Sequence, residues 1–384
     1  MSAPELFSLP SSTARAEPDR QRESAESLAL VGLGNIGGYL VPHMAKMRGL
    51  RRVVLVDRDV YERSNLTSQD IGPHAIGLAK AEAQAQRLRA LNPELEVIPL
   101  HAAIEDVPLG RLRADVILTG LDGRLARYYV NRAARRLGVP WIDAGVDART
   151  LSARVQAYLP GPDAPCMECA FSDRDYALLA QQSYPCNEAQ PATPAPTNAP
   201  SALGALAAAL EVLELQKLLS QAPRGESVWR QAVLDCLHLR FYATAFRRNP
   251  NCKCEHEPWR IEETPCSPDL PVSAALDLGR QATGLDTVSL RPANDDVFVT
   301  TLTCQQCHAT HARNPLLRRR LAAPPCPACG GALIPSGFHL VERLSLRSFP
   351  AALDTSLADL GFQPHDIFEV GGATATARFI VGSE

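Results

Sequence analysis

The chain reads as an α/β protein, a Rossmann-like, mostly parallel sheet with helices on both faces, joined to a small C-terminal zinc-ribbon-like domain. Three observations carry that expectation. Short apolar runs alternate with helix-patterned stretches over residues 28 to 160, the rhythm of βαβ units. The first run, Leu28-Ala-Leu-Val, ends in glycines at 32, 34 and 37, and the second closes on Asp57, 20 residues beyond the third glycine. Four close cysteine pairs then mark the second half of the chain.

Residues 1 to 27 are polar, charged and proline-bearing, a flexible or partly helical lead-in with no secretory signal pattern. Strands are expected at 28–32, 52–57, 95–99, 115–119 and 140–144, with helices at 36–48, 78–91 and 123–137. Five prolines within 184–200 exclude helix and central strand there. An apolar helix follows at 201–219, its Ala/Leu surface suited to the core or to a second subunit, and 227–248 looks like further strands. The first unit is therefore placed at 28–254, a linker at 255–285 and the small domain at 286–384. A net charge of −3 offers no basic field for nucleic acid. No apolar run approaches the ~20 residues that span a bilayer, so no membrane partner is expected and a cytoplasmic protein is.

The glycine loop lets the backbone turn sharply and clears space for a phosphate at a helix start, where free N–H groups and the helix dipole favour negative charge. Alone it says nucleotide, with NAD as the default. Asp57, at the end of the second strand, can accept ribose hydroxyl protons; Asp59 lies on the same side of an extended chain. Asn65 and Gln69 add neutral donors, although a solvated polar loop would look the same. Lys80 can reach a polyphosphate as a point charge or be simply solvated. Asp122 suits a magnesium ion in the crevice, or the N-cap of helix 123–137.

Eight of the eleven cysteines sit in close pairs: Cys166/Cys169, Cys252/Cys254, Cys304/Cys307 and Cys326/Cys329. That spacing suits tetrahedral zinc better than disulfides. The last two pairs, 18 residues apart, have zinc-ribbon spacing; His308 and His311 are spare, and four arginines lie in Arg313–Arg320. The ribbon suits protein recognition better than a second active site. Cys236 fits a core position.

In order, Gly32, Gly34, Asn35 and Gly37, Asp57-x-Asp59, Ser64-Asn65-Leu66-x-x-Gln69, Gly77-x-x-Lys80-Ala81, Asn92-Pro93, Asp122 and Asp143-Ala-Gly-Val resemble the ubiquitin-activating-enzyme-like adenylyltransferases, the superfamily that includes ThiF and MoeB. The resemblance spans residues 28 to 254 and implies ATP rather than NAD. It implies that the C-terminal carboxylate of a ubiquitin-like or sulfur-carrier protein attacks the α-phosphate. Asp57 would then hold the ribose, Asn65, Gln69 and Lys80 the triphosphate, and Asp122 magnesium. Cys166, Cys169, Cys252 and Cys254 would form a closed structural zinc site. Cys186 would receive the acyl group as a thioester for a conjugating protein, although no neighbouring cation activates it. One departure stands out: Ser68 takes the place of an arginine common in the family. The resemblance also implies a homodimer, with Arg15, Arg20 or Arg22 reaching the partner's site. Sulfur-carrier activation for cofactor synthesis and a non-catalytic scaffold are the alternatives. A NAD oxidoreductase accounts only for the glycine loop and Asp57.

Overall fold

A computed structural model of the chain describes residues 25–183, 199–219, 230–311, 316–317, 325–335, 340–345 and 354–382. The early apolar runs form β1 (Ser27–Val31), β2 (Arg52–Asp57), β3 (Glu96–His101), β4 (Val116–Thr119) and β5 (Trp141–Asp147), which pair parallel. Three antiparallel strands, β6 (Ser152–Tyr158), β7 (Arg230–Asp235) and β8 (Arg240–Ala245), extend the sheet to the order β3-β2-β1-β4-β5-β6-β7-β8. Successive side chains serve opposite faces: Leu28 and Leu30 enter one core, Ala29 and Val31 the other. Burial on both sides is why these strands read as continuous apolar runs.

One face is covered by α1 (Gly37–Met44), α2 (Lys80–Leu91) and α5 (Ser201–Leu219), through Leu40, Val41, Ala85, Leu88, Ala207 and Leu215. Helix α1 stops at Met44, short of the expected 48, and contains Pro42. Proline has no N–H to give the Gly38 carbonyl. Arg87 Nη1 donates to that oxygen instead, at 3.3 Å.

The opposite face carries α3 (Arg124–Leu137), against which α4 (Asp173–Ser183) packs. Between β3 and β4 the chain makes only two short 3-10 turns, Ile104–Asp106 and Leu109–Leu112. The C-terminal unit covers what a crossover helix would have covered: Trp259, Ala293, Ile367 and Ile380 join Val54, Val56, Ile117 and Val130 in one core.

That unit begins inside the stretch expected to be a linker. Residues 255–285 contain β9 (Glu262–Cys266) and α6 (Val272–Thr283). After them come β10 (Ser289–Pro292), β11 (Phe298–Val299), β12 (Leu302–Cys304), β13 (Thr310–His311), β14 (Leu333–Pro335), β15 (Leu340–Val341), β16 (Ile367–Gly371) and β17 (Thr376–Val381). A four-stranded sheet of order β10-β16-β17-β9 packs on α6, whose Val272, Ala275 and Leu276 close a core with Phe368, Val370 and Phe379. Two smaller sheets are β11-β15 and β13-β12-β14; the latter carries Cys304 on β12, with Cys307, Cys326 and Cys329 outside its strands. The linker expectation fails because β9 brings polar residues to a parallel pairing with β17 that only the fold reveals.

Candidate nucleotide crevice and metal centres

Strand β1 lies between β2 and β4, so the crossovers leave it in opposite directions and a crevice opens at the carboxyl ends. Gly32 turns there with φ 89°, its N–H donating to Val56 O at 2.9 Å. A Cβ on Gly37 would lie 1.9 Å from Gly32 O, so backbone crowding dictates that glycine. Gly34 differs: its nearest neighbour would be Gln69 Nε2 at 3.9 Å, which leaves room for a ligand against the loop.

Asp57 ties this loop down. Its Oδ2 accepts the Leu33 N–H at 2.6 Å and its Oδ1 accepts the Asp59 N–H at 2.8 Å. Burial raises its pKa above the usual carboxylate range, and the charge of Lys80 opposes that rise. Each oxygen keeps a second lone pair, so clamping the loop does not exclude holding a ribose. Lys80 is the first residue of α2 and is nearly buried, with Nζ 3.1 Å from Asp59 Oδ2. Asn65 uses Oδ1 to accept the Glu62 N–H at 2.8 Å. Gln69 Oε1 and Asn35 Oδ1 are buried with no partner, while Asn35 Nδ2 donates to Ala199 O at 2.7 Å. Asp122 is exposed in the loop after β4; Gly123, not Asp122, holds the N-cap position of α3. Ser68 is buried and brings no charge.

Several residues of this region were not singled out from sequence. Tyr61, fully buried, donates to Leu33 O and accepts from Gln84 Nε2, both at 2.8 Å. Asp143, expected only as part of a motif, is buried between Arg127 Nε at 2.9 Å and Arg154 Nη1 at 3.0 Å. Glu211 of α5 is fully buried, its Oε1 accepting the Thr119 N–H at 3.0 Å. Burial raises its pKa well above the usual range. A charged residue within an Ala/Leu-rich helix was the available signal for Glu211.

The two cysteine regions each converge. Cys304, Cys307, Cys326 and Cys329 bring their sulfurs together, with Cys304–Cys329 at 3.4 Å and Cys307–Cys326 at 3.7 Å. The Cys307 N–H holds the Cys304 thiol down to about 6, toward the thiolate a metal needs. His311 Nε2 lies 3.4 Å from Cys326 Sγ. The other group is Cys166, Cys169, Cys252 and His256, all donor atoms within 4.8 Å of one another. Cys254, expected in this set, is outside it: its Sγ receives the Asn131 Nδ2–H at 3.6 Å. His256, two residues further on, was legible as a ligand type and overlooked. Burial and the neighbouring Arg135 hold its pKa below the usual value. Both donor sets fit zinc, being thiol-rich and closed.

Cys186 and the lead-in arginines Arg15, Arg20 and Arg22 lie outside the described residues, as does most of Arg313–Arg320. For the crevice, the open space at Gly34, the Gln69 Nε2 donor beside it and the cation at Lys80 fit a nucleoside triphosphate, whose ribose hydroxyls or base N–H could donate to the orphaned Gln69 Oε1. Among the described residues no helix is long and apolar enough to cross a membrane.

The family model that matches the chain is described as the ThiF family and covers residues 12–255. The SAMP-activating enzyme E1 of Haloferax volcanii is 28% identical over 232 residues, 59% of this chain and 78% of that protein. Ubiquitin-like modifier-activating enzyme 5 of Gallus gallus is 25% identical over 64% of each chain. The Oryza sativa protein of that name is 31% identical, but the match covers 38% of this chain and 37% of its own length. Among solved structures, E. coli MccB with ATP is similar at 22% identity and a TM-score of 0.47, covering 61% of this chain and 67% of that one.

Proposed function

Because this chain belongs to the ThiF family, we propose that it adenylates the C-terminal carboxylate of a ubiquitin-like protein with ATP. In that reaction a carboxylate oxygen bonds to the α-phosphorus, the bond from that phosphorus to the bridging oxygen breaks, and pyrophosphate leaves. The acyl-adenylate then passes its acyl group to a thiol, for which Cys186 is the candidate, releasing AMP and one proton. The single observation that carries the reading is the crevice at the β1 switch point. There Gly34 lies open beside Gln69, and Asp57 and Asp59 link the glycine loop to Lys80 at the start of α2.

Roles follow from where each group stands. Asp57 fixes the glycine loop through Leu33 and offers its remaining lone pairs to a ribose. Gln69 and Asn65 give uncharged donors, and Lys80 gives positive charge beside the phosphates. Asp122 would hold magnesium, which when bound neutralises phosphate charge. Zinc in the two donor sets would be structural, since no coordination position stays open.

A homodimer in the cytoplasm and a conjugating enzyme as acceptor are parts of the same proposal. Activation of a sulfur carrier shares its first step and diverges only at the product. The buried Ser68 favours one further reading, a scaffold without catalysis.

The test is ATP–pyrophosphate exchange by the full chain with candidate carrier proteins ending in Gly-Gly. Exchange that requires the carrier, survives Cys186→Ser and loses only the thiol-sensitive adduct supports the proposal. ATP binding without exchange for any carrier supports the scaffold. A dinucleotide bound in place of ATP overturns both.

A further inference from the structure

We propose that the metal centre of the first unit is a Cys3His site in which His256, not Cys254, is the fourth ligand. Through this ligand the metal anchors the connector to the C-terminal unit.

Distances favour it. Tetrahedral zinc, with Zn–S about 2.3 Å and Zn–N about 2.0–2.1 Å, places two sulfurs about 3.8 Å apart and a sulfur and nitrogen about 3.6 Å apart. Here Cys166 and Cys252 are 3.7 Å apart, Cys166 and Cys169 are 3.9 Å, and His256 Nε2 is 3.7 Å from Cys169 Sγ. The imidazole is also oriented for ligation. Nδ1 lies 2.9 Å from Ala164 O, a contact that only a protonated Nδ1 satisfies, leaving the Nε2 lone pair toward the sulfurs. Arg135 Nη2 lies 2.9 Å from the same Nδ1, but its two protons are already taken by Gly161 O at 2.5 Å and His256 O at 2.7 Å. Cys254 lies close enough to Cys166 to interact with its thiol, but it is outside the converging set, buried 3.4 Å from Glu255 O and 3.6 Å from Asn131 Nδ2.

What the ligand is attached to gives the site its consequence. His256 stands between Glu255 and Trp259, and the Trp259 Nε1–H donates to Glu255 Oε2 at 2.7 Å. The Trp259 ring lies under two guanidinium groups, Arg136 of α3 at 4.7 Å and Arg378 of β17 at 4.4 Å. A metal that fixes His256 therefore fixes the start of the segment by which the C-terminal sheet is held to α3.

Cadmium NMR on the full-length protein loaded with cadmium decides the ligand set, because each exchange of sulfur for nitrogen moves the resonance to lower shift. Two resonances are expected: one four-thiolate from Cys304, Cys307, Cys326 and Cys329, and one three-thiolate with imidazole. His256→Cys should move only the second, to the four-thiolate range, and Cys254→Ser should move neither and lose no metal. Two four-thiolate resonances in the native protein, or loss of one metal in Cys254→Ser, overturn the ligand assignment. For the anchor, His256→Ala should be cut by protease within 255–261 several-fold faster than Cys254→Ser. Equal rates overturn that half.

Discussion

Replacing Lys80 by methionine separates a phosphate-binding lysine from a structural one. Lys80 Nζ is 3.1 Å from Asp59 Oδ2, and the Asp59 side chain is 56% exposed. An ion pair with one partner so open to water contributes about 0–1 kcal/mol. Methionine keeps the straight stem and the helix propensity, and the backbone bond from Lys80 N–H to Asp59 O at 2.9 Å is untouched. At about 2–4 °C per kcal/mol, the melting temperature should fall by only a few degrees. Removing a cation aimed at charge that develops in the transition state costs far more, about 2.7–4 kcal/mol, or 10²- to 10³-fold in rate. Lys80 also opposes the effect of burial on Asp57, so the acid limb of the residual activity should move to higher pH. Carrier-dependent pyrophosphate exchange between pH 6 and 9, beside a thermal melt, reads all three effects. Unchanged exchange with unchanged melting would refute the phosphate role; collapse of the fold would assign Lys80 to structure.

Three further outcomes are expected. Gly37→Ala places its Cβ 1.9 Å from Gly32 O, a backbone atom that cannot step aside, so it should cost about 1–3 kcal/mol and abolish stabilisation by ATP in a melt. Glu211, with its raised pKa, keeps a proton in the folded chain that the unfolded chain releases once pH passes the ordinary carboxylate value. Wild-type stability is therefore eroded as pH rises from there toward the folded-state pKa. Glu211→Gln removes that erosion, and its melting temperature relative to wild type should climb from pH 5 to 8; a flat difference would sink the assignment. Trp259→Ala empties a buried aromatic site shared by both units and should cost about 3–5 kcal/mol, with the C-terminal unit melting first in calorimetry.

The sequence made the sheet legible where local and global signals agree. Buried strands such as β2 are apolar runs whichever neighbour they pair with, and β2 spans the expected 52–57. Helix 201–219 was equally plain, and α5 has those bounds. Contacts between distant residues were not legible. Nothing near Tyr61 signals that its hydroxyl will bridge Leu33 and Gln84, and nothing in α3 signals that Arg136 will meet Asp295 at 2.6 Å. Pair spacing and the family resemblance both point to Cys254, whereas the set that converges depends on how 252–256 turns beneath Arg135. The C-terminal sheet was missed because β9 and β17 are over 100 residues apart and their pairing leaves no local pattern.

The crevice imposes a charge requirement that bears on assembly. Lys80 already faces Asp59, and Arg87 is engaged by Asp70 at 2.6 Å and by the Gly38 carbonyl. Each cation thus already has a carboxylate partner before any phosphate arrives. Ser68, which is buried, supplies no charge where the resemblance expects a guanidinium. Asp57, which is not the carboxylate paired with Lys80, is a second acidic group beside the glycine loop. A triphosphate placed here therefore needs positive charge from beyond these pairs. On the proposed reading, magnesium held by Asp122 would supply part of it. The remainder falls to an arginine approaching from the open side of the crevice, the role the resemblance gives to Arg15, Arg20 or Arg22 of a second copy. If the proposed adenylation and homodimer hold, serine at residue 68 would make the reaction more dependent on the second copy, because one cation would have to come from it.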